Sequence, residues 1–429
     1  MLQRHAFLWL LLCALEAVAT AADQPQAADT VASAHYDVAV EAGGPHEAPS
    51  AADLAASLEA LHLELSRRFG KAPDQRLKVQ VLRDAQAWTR RLRADQCHVF
   101  PGKGGYYCPH SRTAYLWLQP SLHYTRQLAL HEAAHQFHFL TALDNRRKPP
   151  LWYCEGWAEH QGMHTWDGET LRVGVVPPIS LEDYPAKALA QWRADPGFLA
   201  FVRDNKPAPQ ELSWAMVHYL LTTRPEPTLK LFDRLDRGEA GRAAWDAQFG
   251  ASEVNWDAGF ASHLATHQQP WRITWIHWRP LDARTLWGQS DGTAVAVLKQ
   301  TPKAARFTVR RERGDGPVGV VFGHAPGPNF QALQWTRSTL RSLRYDGRSW
   351  RDFSHLPLPE PKAAGVHVFD VHSSPQGVRI LVNGKEALKS PVTGLVGVCV
   401  DRAQARFEWE LLDATEVATP APPQGDAAP

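Results

Sequence analysis

His131-Glu132-Ala133-Ala134-His135, followed twenty residues after His135 by Glu155 in the run Leu151-Trp-Tyr-Cys-Glu155-Gly-Trp-Ala-Glu159, is the stretch on which the fold reading turns. On a helix, positions i and i+4 lie one above the other on one face, so both imidazoles can donate to a single ion. Zn²⁺ at roughly 2.0–2.1 Å from each nitrogen is the commonest occupant of such a pair. Glu132 sits about 100° round the helix from His131, beside the ion rather than under it, where a carboxylate can deprotonate water. Glu155 offers a third ligand and leaves a fourth position open, as a catalytic zinc requires. The pattern predicts a zinc hydrolase. Leu128, Ala129, Ala133, Ala134 and Phe137 surround the pair with helix formers and apolar residues, which favours a buried helix over a solvated surface one. A second helix is expected after Pro149-Pro150. On it Glu155 and Glu159 share a face, so one can bind metal while the other accepts the N–H of a ligand histidine.

These paired segments resemble the gluzincin metallopeptidases, the thermolysin and aminopeptidase N-like group. The run Trp152-x-x-Glu155-Gly156-x-Ala158-Glu159 is especially similar to secreted peptidase-MA-like proteins. The resemblance implies that His131, His135 and Glu155 bind zinc, that Glu132 is the general base and that Glu159 supports a ligand from behind. The metzincin pattern is excluded, because it needs Gly and His where this chain has His138 and Thr141; His138 is expected to pack. One departure concerns the oxyanion. Gln210-Glu-Leu-Ser-Trp214-Ala-Met-Val-His218-Tyr219 resembles a later family helix, but Gln210 falls where the family has Tyr. An amide donates a hydrogen bond yet has no proton to give, and a lost oxyanion donor costs about 10²–10³ in rate. His218, Tyr219, Tyr184 and His160 are candidate substitutes, with core packing the preferred role for Tyr219. The aminopeptidase signature Gly-x-Met-Glu-Asn is absent upstream of His131.

The rest of the chain bounds these expectations. Residues 1–22 read as a secretory leader: Arg4 and His5, then an apolar stretch from Ala6 to Leu15, then small residues to Ala21. That stretch is too short for a membrane span, and no comparable run follows. An exported protein is expected, secreted or periplasmic. In an oxidising compartment Cys97 and Cys108 would be able to bridge across Gly102-Lys-Gly-Gly105. Cys154 is expected to be a buried structural thiol rather than a ligand. A net charge of +1 gives no electrostatic footprint for nucleic acid.

The predicted fold class is α+β, a gluzincin-like domain at 35–268 followed by an antiparallel β-sandwich at 275–415 and a disordered Ala/Pro-rich tail at 416–429. Alternating strands are expected at Tyr36–Val40 and Leu77–Leu82, with helices at Ala51–Phe69 and Ala85–Ala94. A hairpin pairs residues 104–107 with 113–118. In gluzincins the strand edge beside the zinc helix bonds the substrate backbone, and Gly105 and Tyr106 are the candidate contacts here. Trp166–Val175 is expected as a second hairpin, and five helices between Phe198 and Thr266 form a helical lobe. From Trp275 short β-rich runs separated by turns such as Asn383-Gly384 indicate the sandwich. Gly377–Lys385, Gly394–Val398 and Phe407–Leu411 resemble concanavalin-like jelly rolls, which often bind carbohydrate; an accessory sandwich with no ligand is the alternative. A peptide or protein substrate with Zn²⁺ as cofactor is therefore the leading expectation. A catalytically weak relative that binds extracellular or cell-wall glycan through the sandwich is the second, and hydrolysis of a non-peptide amide the third.

Overall fold

The structure, a computed structural model, describes residues 28–412 apart from 144–148, 181, 251–253, 274–277, 325–328, 337, 347, 348, 360, 362 and 364. The expected leader and the Ala/Pro-rich tail lie outside the described residues. The chain forms two compact units, one reaching Thr141 and one starting at Ala142.

The first unit runs β1 (Asp29–Ala32), β2 (Tyr36–Val40), α1 (Ala51–Phe69), β3 (Leu77–Leu82), α2 (Ala85–Ala94), β4 (Gly105–Cys108), β5 (Thr113–Trp117) and α3 (Leu122–Thr141). Its sheet has the order β1-β2-β3-β5-β4; the two inner pairings are parallel and the two outer ones antiparallel. Period-two burial in β2 and β3 sends Val38, Val40, Val79 and Val81 into the core. Helix α1 starts where the Ser50 side chain accepts the Asp53 N–H and stops at Gly70, whose φ of 65° is left-handed. Cys97 and Cys108 form a disulfide with their Cα atoms 5.9 Å apart, tying β4 to the loop after α2.

Helix α3 is buried at nearly every position from His123 to His138. A helix surrounded in this way needs fixed polar anchors, and several are present. The Gln136 side chain donates to the carbonyls of Lys78 (3.2 Å) and Arg112 (2.8 Å), locking the helix onto β3 and the turn before β5. Arg126, almost fully buried, pairs with Asp53 of α1. His138 is fully buried and stacks on Phe69 at 5.4 Å, the packing role expected of it.

The second unit begins with α4 (Leu151–Gly162), the hairpin β6 (His164–Trp166) and β7 (Leu171–Val173), and helices α5 (Tyr184–Ala194), α6 (Phe198–Val202), α7 (Gln210–Thr223), α8 (Pro225–Asp236), α9 (Gly241–Phe249) and α10 (Trp256–Thr266). Strands follow: β8 (Trp271–Ile273), β9 (Trp278–Asp282), β10 (Thr285–Leu298), β11 (Ala304–Arg313), β12 (Val318–His324), β13 (Asn329–Trp335), β14 (Thr339–Asp346), β15 (Trp350–Pro357), β16 (Val366–Ser374), β17 (Gly377–Val382), β18 (Lys385–Ser390) and β19 (Leu395–Leu411). They form an antiparallel sandwich with the order β15-β14-β13-β12-β19-β11-β16-β17-β18, to which β10 is added along β19. Phe307, Leu333, Phe369, Ile380, Val398 and Phe407 lie in its core, all inaccessible to solvent.

The helix-to-strand change falls between Thr266 and Trp271, a few residues ahead of the expected Trp275, and the compact unit does not break there but at Thr141, inside the expected 35–268 domain. Ile179 packs within the sandwich core, Lys299 of the strand region pairs with Asp183, and the Trp271 N–H donates to the Pro178 carbonyl at 3.3 Å. Within the second unit, the segment from Pro178 to Asp183 is thus joined to the sandwich.

Candidate metal centre

Helix periodicity places the two histidines of α3 one turn apart, and their Nε2 atoms face each other at 3.1 Å with the rings edge to face. Both are buried, and so is Glu132 beside them. His131, His135 and Glu155 form a group in which one ligand atom from each lies within 4.8 Å of the others. Among the described residues this is the one cluster of three or more His, Cys, Asp or Glu side chains able to offer atoms to a single metal ion.

Glu132 is positioned from the sheet side. A Cβ added to Gly105 would stand 2.6 Å from Glu132 Oε1 and 2.9 Å from its Cγ, so the edge strand β4 touches the carboxylate through a bare backbone. Tyr106 follows it; burial, then the nearby Glu132 carboxylate, push its phenol above the usual range, so it stays protonated. Strand β4 is the last of its sheet among the described residues. Trp117 donates to the Gly104 carbonyl, and antiparallel pairing alternates, so Gly105 directs its own N–H and C=O away from β5. If the cluster holds a metal and Glu132 acts as its base, Gly105→Ala should retain the metal and lose about 100-fold in turnover, because the added methyl displaces the carboxylate by the order of an ångström. Steady-state rates beside metal content check this, and an unchanged kcat would remove Gly105 from the site.

No family model matches this chain, and no curated protein matches it either. Among solved structures, similarity extends to about a third of it. The carbohydrate-binding module CBM66 from Bacillus subtilis is 13% identical, with 33% of this chain and 95% of that chain covered at a TM-score of 0.28. The β-glucanase of Bacillus licheniformis is 7% identical over 32% of this chain and 89% of that one, with a TM-score of 0.25. The galectin LEC-6 of Caenorhabditis elegans is 12% identical over 29% and 89%, with a TM-score of 0.20.

Within the second unit, Glu159 shares the α4 face with Glu155 and is almost fully buried. Its Oε1 accepts the Tyr184 hydroxyl at 3.0 Å and the Gln210 amide at 2.5 Å. Gln210 therefore grips Glu159, and Tyr184 brings a phenol to the same oxygen. The helix carrying Tyr184, α5, escaped the sequence reading. Its signals were Asp183, whose side chain caps Ala186, Pro185 in the first turn, and the helix formers that follow. Gly156 lets α4 lie against α7, since a Cβ there would be 2.3 Å from the Ser213 carbonyl oxygen. Tyr219 does not join this group. It packs among Phe198, Phe260 and His263, with its hydroxyl against Gly259, and is removed from the oxyanion candidates.

His218 is likewise an interior group, and His160 is half-buried, stacked on Trp157 with ring centroids 6.1 Å apart. His218 Nδ1 lies 2.8 Å from His263 Nε2, and His267 stacks on His263 at 4.0 Å. Burial, reinforced by the neighbouring imidazoles, holds His218 and His263 down at about 3. Both are neutral when folded, whereas the unfolded chain takes up their protons near pH 6.5. Their contribution is thus complete above pH 6.5 and is lost as pH falls toward 3. Thermal denaturation between pH 7 and 4 should show a falling Tm, and His263→Gln, which keeps a partner for His218, should flatten that fall.

Proposed function

We propose that this chain is a zinc-dependent metallopeptidase of the gluzincin type, exported from the cell, with His131, His135 and Glu155 holding the ion. The gathering of those three side chains' ligand atoms within 4.8 Å carries the reading. Two imidazoles and a carboxylate are a usual donor set for catalytic zinc. A tetrahedral ion would hold the two Nε2 atoms about 3.3 Å apart, close to the 3.1 Å separation observed. When bound, zinc supplies the Lewis acid that polarises the scissile carbonyl and acidifies water.

The protein's own groups do the rest. Glu132 Oε1 accepts the proton from the attacking water and delivers it to the leaving amine nitrogen. The outward N–H and C=O of Gly105 pair with an extended peptide backbone, which favours a peptide over a small amide. Glu159, fixed by Tyr184 and Gln210, steadies the helix face from which Glu155 projects. The test is metal analysis of the native-purified chain, followed by mass-spectrometric mapping of cuts in a denatured protein mixture. About one zinc per chain and chelator-sensitive cleavage are expected. No zinc after reconstitution of folded protein would leave His131 and His135 as packing residues.

A second reading assigns glycan binding to the sandwich. It is supported by a polar pocket on that sandwich, lined by amide, hydroxyl and guanidinium groups, the donor and acceptor set that sugar hydroxyls require.

A further inference from the structure

Strand β19 serves both halves of the sandwich. Residues 395–400 pair with β12, residues 404–411 pair with β11, and β10 accompanies it along both stretches. Where β19 changes partner, both flanking ladders slip register, between Ser290 and Thr293 on one side and between Arg311 and Arg313 on the other. Such irregularities re-aim side chains. At this bend lies a pocket of about 240 Å³, lined by Gln289, Ser290, Arg313, Arg402 and Gln404 with the backbone of Gly314 and Ala403. Cross-strand register puts Gln289, Gln404 and Arg313 in one row across three strands.

Arg402 occupies this rim at a φ of 47°, a left-handed conformation that Gly or Asn adopts more easily. A long basic side chain kept at such a position points to a use for its head group. That head is oriented: Arg402 Nε donates to Asp401 at 3.0 Å, and buried Asp401 also accepts the Thr293 hydroxyl at 3.0 Å. The Arg402 side chain nevertheless remains 70% exposed. Arg313 is exposed too, and among the described residues it takes part in no ion pair. Two guanidinium groups flank a row of amides, with no aromatic side chain in the lining.

We propose that this bend pocket binds a hexuronate residue of an acidic polysaccharide, its carboxylate held by Arg313 and Arg402 and its hydroxyls by Gln289, Gln404 and Ser290. The inference rests on the glycan-binding reading of the sandwich and names the site and the sugar class. Guanidinium groups match carboxylates in charge and planar geometry, whereas neutral sugars need no such pair.

The experiment is isothermal titration of the full chain with tetragalacturonate, with the neutral galactotetraose, and with a short peptide bearing a free C-terminal carboxylate. Saturable binding of tetragalacturonate alone is expected. Arg402→Gly should weaken it about ten- to hundredfold, the effect of a lost charge-assisted pair. That variant relieves the left-handed backbone, so a thermal melt no lower than the parent's excludes unfolding as the cause. Arg313→Gln should weaken binding to a similar degree. Tetragalacturonate binding that neither substitution reduces would overturn the site. Equal binding of galactotetraose, or tighter binding of the peptide, would overturn the carboxylate-sugar assignment. If galactotetraose bound and tetragalacturonate did not, the glycan reading would stand without this inference. Absence of all binding at millimolar ligand would remove both.

Discussion

Glu132→Gln should bind zinc with the stoichiometry of the parent chain and hydrolyse peptide bonds about 10²–10⁴-fold more slowly, the range by which a positioned base accelerates a reaction. The amide keeps the shape of the carboxylate, which matters where the side chain is only 5% exposed and lies against Gly105. It has no lone pair basic enough to take a proton from water, so the attack stalls while substrate and metal still bind. His131 and His135 project from other directions of α3 and are untouched. The measurements are zinc per mole and initial rates on one peptide. Hydrolysis at parental speed by the metal-loaded variant would exclude Glu132 as the base.

Glu155→Ala should empty the site. It removes one of the three proposed ligand side chains and leaves two imidazoles, which together would hold zinc weakly. Replacing a residue that only supports a ligand typically costs 10–100-fold in metal affinity. The loss at Glu155 should exceed that range, and Glu159→Gln, which alters the carboxylate held by Tyr184 and Gln210, should fall within it. Competition with a chelator of known affinity ranks the three proteins. Equal zinc retention by Glu155→Ala and the parent would sink the three-ligand arrangement. Because Gly156 already lies against the Ser213 backbone, substitutions at position 155 are preferable to disturbing that neighbour.

Much of this was legible because local signals agreed. Ser50 and Gly70 bracket α1 with a side-chain cap and a left-handed stop, and alternation marks β2 and β3. Spacing alone put the two histidines on one helix face. Distant partnerships were not legible. Strand β15 escaped notice because Trp350–Pro357 is an exposed edge with little alternation. The runs Gly394–Val398 and Phe407–Leu411 look separate in the sequence, whereas one strand, Leu395–Leu411, bends between them at Arg402, a residue whose identity gives no hint of a left-handed backbone. The fate of Gln210 depended on which carboxylate α7 would meet, and Tyr219 faced an aromatic cluster that no local pattern announces.

The pairing of β19 with β10, β11 and β12 has a bearing on biosynthesis. Thr285 finds its partner in Glu408, more than a hundred positions later in synthesis. Until residues 395–411 have left the ribosome, the two halves of the sandwich have no common strand, and valines such as Val320 and Val398 have no closed interior to enter. Closure of so non-local a contact is slow, and the waiting segments expose strand edges. This half of the sandwich therefore stays open until β19 is available to pair. It makes the pairing of β19 the step on which quality control would act.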